Sequence, residues 1–148
     1  VNNIVKAKDY LMQVRFLNRK IRRLQQDIDD LKLKSESTGS MSMSADRVQT
    51  SRNLEGFSRY VVDAVTKEQE LKETILKLDE KKQEVIDVIE KVTNADVYEV
   101  LYMYYIQEFS WMQISDSLHF AYSWVHELKN RGLDEIQTIV DSQGLHCV

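Results

Sequence analysis

Apolar side chains recur along most of this chain in steps of three and four, the period of a helix with one buried face. The first series is Ala7, Tyr10, Val14, Leu17, Ile21, Leu24, Ile28 and Leu31. It forms an unbroken heptad seam over about four repeats, the pattern of coiled-coil packing. A second series starts near Leu54 and runs through Phe57, Val61, Ala64, Leu71, Ile75, Leu78, Val85, Ile89 and Val92. Glu68 and Lys82 interrupt it, which costs stability and helps fix register. Between the two, residues 34–53 read KSESTGSMSMSADRVQTSRN. Serine and threonine dominate, the periodicity vanishes, and a flexible connector of about 20 residues is expected.

Thr93 and Asn94 mark the next break, with Asn94 suited to capping. A third helix is predicted over 95–108, with Val97, Leu101, Tyr104 and Tyr105 on a broad apolar face. The stretch 110–133, SWMQISDSLHFAYSWVHELKNRGL, then divides into two short helices joined by a tight turn. Ser110 caps the first and Gln113 completes a capping box. Ile114 and Leu118 face Val125 and Leu128, and the small Ser115 sits where the rods must approach closely. The turn falls at His119 and Phe120, and the second rod runs from about Ala121 to Arg131. Gly132 predicts a bend, after which Leu133, Ile136, Ile139 and Val140 continue a helical pattern, and 142–148 reads as a loose tail. The expected fold is all-α. A coiled-coil helical hairpin over 5–93 precedes a helix-turn-helix domain over 95–141, whose second helix is of the kind that lies in a DNA groove.

Composition sharpens this picture. The chain has 148 residues, no proline and four glycines, with 30% of its residues charged, so long helices can run without interruption. The single cysteine, Cys147, excludes a disulfide framework within one chain and fits a reducing compartment. No apolar run approaches the roughly 18 residues of a membrane span, and a soluble, cytoplasmic protein is the expectation. The first residue is Val1, as in a processed, truncated or alternatively started chain. Charge is unevenly spread: residues 1–33 carry eight basic and four acidic side chains, 34–94 ten and twelve, and 95–148 two and eight. The end expected to meet DNA is therefore at −6, against an overall −4.

With Val125, Leu128 and Trp124 turned inward, the outer side of the second short helix offers Tyr122, Ser123, His126, Lys129, Asn130 and Arg131. The first three lie near its N-terminal half, which reaches base edges; the last three suit phosphates or bases. On the first helix Lys8, Arg15, Arg19 and Arg22 form a basic stripe, flanked by Lys20 and Arg23. It is suited either to phosphate contacts or to pairing with Glu70, Glu73, Asp79 and Glu84 on the second helix. The aromatic run Tyr98, Tyr102, Tyr104 and Tyr105, with Trp111 and Trp124, has the spacing of a core rather than of a base-stacking platform. His119, His126, His146 and Cys147 match no zinc spacing, and adjacent His126 and Glu127 point apart on a helix. With no nucleophile frame, phosphate loop or paired carboxylates, neither an enzyme nor a metal or cofactor site is expected.

Trp111, Ile114, Ser115, the turn Leu118-His119-Phe120 and Val125 together resemble region 4 of bacterial sigma factors and their small relatives. The whole chain resembles a family of small phage and prophage proteins of unassigned function from Gram-positive bacteria. The residues that carry this are AKDYL at 7–11, DRVQTS at 46–51 and WVH at 124–126. The resemblance implies a phage-encoded regulator, distantly like phage late-gene transcription activators, acting on double-stranded DNA. An adaptor gripping RNA polymerase or another protein through the same domain is the alternative, and a homodimer is compatible with either. Against the sigma pattern, His119 replaces a turn glycine, Ala121 replaces a capping serine, and the basic residues of the recognition helix are thinned to Lys129 and Arg131.

Overall fold

The computed structural model describes residues 5–41 and 47–147, with the backbone alone for 37–41 and 47–54. Every regular element among them is an α-helix: α1 Ala7–Met41, α2 Arg47–Ile89, α3 Ala95–Tyr105, α4 Trp111–Leu118 and α5 Tyr122–Gln143. The stretch 34–53, expected as a connector, is helical at both of its described ends. α1 continues through Met41 and α2 begins at Arg47, leaving 42–46 outside the described residues. Serine and threonine lower helix propensity by only a few tenths of a kcal/mol each, so a long helix can absorb a short run of them. Contacts also group the chain differently from a division near 94. One unit holds Asn18–Lys77, and the other joins the chain through Leu17 to Leu78 onward.

In the unit 18–77, Leu24, Ile28, Ala64 and Thr74 are buried. Ion pairs join the two helices at Lys20–Glu70 (3.8 Å), Lys32–Glu68 (3.2 Å) and Lys67–Asp27 (3.9 Å). All six side chains stay near half-exposed, so each pair contributes at most about 1 kcal/mol. The seam of α2 departs from the predicted series here. Ile75 is 40% exposed while its neighbour Thr74 is 3% exposed. The Thr74 hydroxyl donates to the Glu70 carbonyl oxygen at 2.7 Å, which removes the cost of burying it.

The other unit has one continuous core. Tyr10, Leu11 and Val14 of α1 meet Val85, Val88 and Ile89 of α2, Val100 and Leu101 of α3, Ile114 of α4, and Val125, Leu128 and Ile136 of α5. Asn94 caps α3 as expected, accepting from the N–H groups of Asp96 and Val97 at 2.9 and 3.1 Å. The Gln137 side chain accepts from the Ala7 N–H at 2.8 Å and donates to the Val5 carbonyl at 2.9 Å, holding the start of α1 against α5.

Gly132 does not bend the chain, because α5 runs unbroken through it. A Cβ there would lie 2.7 Å from Leu101 Cδ1 and 2.8 Å from Val97 Cγ1, so the glycine is the point where α5 crosses closely over α3. Beyond Gln143 the described tail stays exposed except at Leu145. Gly144 ends α5 in the left-handed region, the Leu145 N–H reaches the Val140 carbonyl at 3.2 Å, and Leu145 sits against the core. Burial and the Asp9 carboxylate push the Cys147 thiol up, with Lys81 opposing.

Candidate nucleic-acid interface

The region expected to act is α4, a three-residue turn and α5. Ser110 Oγ accepts from the Gln113 N–H at 3.1 Å while Gln113 Oε1 accepts from the Ser110 N–H at 2.9 Å, the reciprocal box read from the sequence. α4 ends at His119 with φ 56° and ψ 37°, the left-handed conformation that the missing glycine forces on a histidine. Ser115 ties this turn together. Its carbonyl accepts from the Phe120 N–H at 3.1 Å, and its hydroxyl donates to the Phe120 carbonyl at 2.6 Å. Ala121 begins α5 with no side-chain cap. Ile114, Val125 and Leu128 are buried between the two helices, and Trp124 is half-buried.

The predicted contact residues divide into two groups. Tyr122, Ser123 and Asn130 are exposed on α5. His126, Lys129 and Arg131 already have intramolecular partners. The His126 ring lies against Tyr122 (4.5 Å between centroids) and Trp111 (5.4 Å), and its Nε2 is buried without a hydrogen-bond partner. Lys129 Nζ is 3.3 Å from His126 Nδ1 and 5.4 Å from the Trp111 ring centre. Arg131 donates to Glu127 Oε1 at 2.8 Å and lies 5.1 Å over the Trp124 ring. His126 as placed presents no free edge to a base; it spaces Tyr122 from Trp111.

Of the basic stripe, Lys8, Arg19 and Arg22 are exposed, and Arg15 is not available to a phosphate in this arrangement. Its guanidinium sits 4.1 Å over the Tyr104 ring with Nη1 buried, while Tyr104 stacks on Trp111 at 3.7 Å and 7°. A column of flat groups thus runs from Arg15 through Tyr104, Trp111 and His126 to Tyr122. The aromatic run was legible as core, but the cation closing the column was not. In sequence Arg15 looks like any member of a charged row. Tyr105, edge-on to Tyr104, is buried, and burial and Tyr104 push its phenol up while Arg15 opposes. Lys8 and Arg15 belong to the unit containing α3 to α5, whereas Arg19 and Arg22 belong to 18–77.

Among the described residues no group of three or more His, Cys, Asp or Glu side chains could hold a metal ion, and no helix is long and apolar enough to cross a membrane. Neither the curated proteins nor the solved structures offer a match to this chain. A family model does match, over residues 36–137, from the end of α1 through most of α5. The chain belongs to the family described as "Protein of unknown function (DUF1492)".

Proposed function

We propose that this chain is a non-enzymatic, sequence-specific DNA-binding regulator of phage type, reading double-stranded DNA with a sigma region 4-like helix-turn-helix. In this reading the coiled-coil hairpin of α1 and α2 is the assembly module. The observation that carries the proposal is the clasp itself: two helices fixed by Ile114, Val125 and Leu128 across a three-residue turn, with Tyr122, Ser123 and Asn130 left outward. Two details support it. The missing cap at Ala121 leaves the first N–H groups of α5 without a side-chain acceptor, as a phosphate contact requires. Between Asp116 and Glu127 no acidic side chain occurs, so the tip of the clasp escapes the −6 of the surrounding sequence. The Arg131–Glu127 pair is exposed and contributes well under 1 kcal/mol, too little to hold Arg131 from a phosphate.

A second reading, an adaptor that grips RNA polymerase or another protein, is favoured by the engagement of both α5 cations and by the acidity of 95–148. Salt separates the two. Affinity for the duplex beside the protein's own gene should fall log-linearly between 50 and 200 mM salt, estimated on the usual counterion scale of roughly one log unit per phosphate contact. Lys129→Ala and Arg131→Ala should each weaken binding and lower that slope by about 1, with helicity unchanged. No binding in a low-salt mobility shift, or variants indistinguishable from the parent, would remove DNA readout and leave the adaptor.

A further inference from the structure

The inner face of α5 fixes which side of it points outward. Val125, Leu128, Gly132, Ile136 and Val140 are its buried positions. At about 100° per residue, the side opposite their mean direction carries Ser123, Glu127, Asn130 and Asp134, each within about 40° of the centre line. All four are exposed. His126 stands about 80° to one side of that line and Arg131 about 60° to the other. Asp134 lies roughly 10 Å beyond Glu127 along the axis, past the N-terminal part of a recognition helix that meets base edges. The ridge that would reach a groove floor is therefore Ser123, Glu127 and Asn130. We propose, building on the DNA-reading function, that Glu127 is a specificity-determining residue of this helix and that its carboxylate selects a cytosine in the major groove.

Hydrogen-bonding capacity singles out Glu127 on this ridge. A serine hydroxyl and an asparagine amide each donate and accept, so they can meet any base edge, whereas an ionised carboxylate only accepts. Guanine presents N7 and O6 in the major groove, and thymine O4 and a methyl group, so neither offers a donor. Adenine offers its N6 amino group beside the N7 acceptor. Cytosine offers the N4 amino group with no acceptor of its own beside it, which suits a glutamate best. Against guanine or thymine the carboxylate loses its water without a donor in return, among phosphates of like charge. Arg131 helps to aim it by donating to Glu127 Oε1 at 2.8 Å. One such bond leaves a carboxylate room to accept more, and a guanidinium has N–H groups enough to hold Glu127 and reach a phosphate together.

Selection from a pool of random-sequence duplexes at low salt tests this, with the full chain and with Glu127→Gln, both checked for equal helical circular dichroism. The parent should enrich duplexes that share a C·G pair at one position. Glu127→Gln, which can donate as well as accept, should still bind but lose that requirement, and Glu127→Ala should lose it too. In the selected duplex, a cytosine analogue without the 4-amino group should weaken the parent about tenfold and Glu127→Gln only about twofold, on the scale of one base-edge contact. Uniformly tighter binding by Glu127→Gln with the same base preference would mean that the carboxylate only repels phosphates. That result, or a parent indifferent to loss of the 4-amino group, would overturn the cytosine selectivity and leave DNA reading in place. A parent that retains no duplex at low salt would remove both together.

Discussion

Gly132→Ala is the most discriminating perturbation of the fold, because two opposing effects meet at one atom. In an exposed helix interior the change stabilises by about 1 kcal/mol through lost unfolded-state entropy. Here the new Cβ would stand 2.7 Å from Leu101 Cδ1, 2.8 Å from Val97 Cγ1 and 3.1 Å from Leu101 Cγ. Leu101 is 0% and Val97 4% exposed, so neither can swing into solvent, and Val97 is stiff at χ1. Overpacking of this kind costs about 1–3 kcal/mol, and the close contact involves both neighbours, so the upper half of that range applies. The net expectation is a loss of ~1–2 kcal/mol, seen as a lower urea midpoint at unchanged m-value. Leu101→Val in the same chain should relieve the Leu101 part of the clash, making the double variant less unstable than the sum of the singles. A Gly132→Ala protein stabilised by about 1 kcal/mol, as an uncrowded helical glycine would be, refutes the close crossing of α3 and α5.

Further expectations follow from the same contacts. Ser110→Ala removes the hydroxyl half of the capping box, leaving the Ser110 backbone N–H bond to Gln113, and should cost ~1 kcal/mol, measurable by chemical denaturation, whereas Met112→Ala on the exposed side of α4 should cost less than half of that. Val125→Asp places an unpaired charge where the parent side chain is fully buried. Near-ultraviolet circular dichroism of Trp111 and Trp124 should vanish; retention of that signal at the parent's melting temperature would contradict the packing. Tyr105 has a phenol pKa raised by burial, so above pH ~10 the unfolded chain releases a proton that the native state keeps. The stability contribution of this group is whole below the unfolded pKa and declines as pH rises toward the native one. Tyr105→Phe should flatten the alkaline fall, and an identical fall in both proteins would show that Tyr105 has no part in it.

Local chemistry was the most legible part of this chain. A serine three residues before a glutamine, an asparagine before an apolar run and a histidine where a glycine belongs each determine backbone geometry within one turn. The structure has the box, the cap and the left-handed residue at those positions. Facing sides were legible where the apolar residues were unambiguous, as at Ile114, Val125 and Leu128. Misreadings arose where something other than a residue's own polarity or propensity decides its place. Thr74 is buried in place of Ile75 because a bond to its own helix hides its hydroxyl, and polarity alone does not disclose this. Gly132 looked like a bend until Val97 and Leu101 came to stand beside it. Arg15 looked like a solvated charge, and only the approach of Tyr104 and Trp111 turns it into a packing residue. Within 34–53, residues 34–41 and 47–53 are helical although serine and threonine dominate the stretch, because a low helix propensity in a few residues at the end of a long helix costs little.

The amide clamp at Gln137 has a consequence for synthesis. Its two hydrogen bonds join groups 130 and 132 positions apart, so residues 5–7, made well before α5, must wait for that helix before these backbone groups find their native partner. The intervening 60 residues can pair locally in the meantime, which shortens the effective loop and lowers the entropy of closing it. Docking of residues 5–17 is therefore expected as a late step that follows the synthesis of α5, and a ribosome stalled before Gln137 would display Tyr10, Leu11 and Val14 to chaperones.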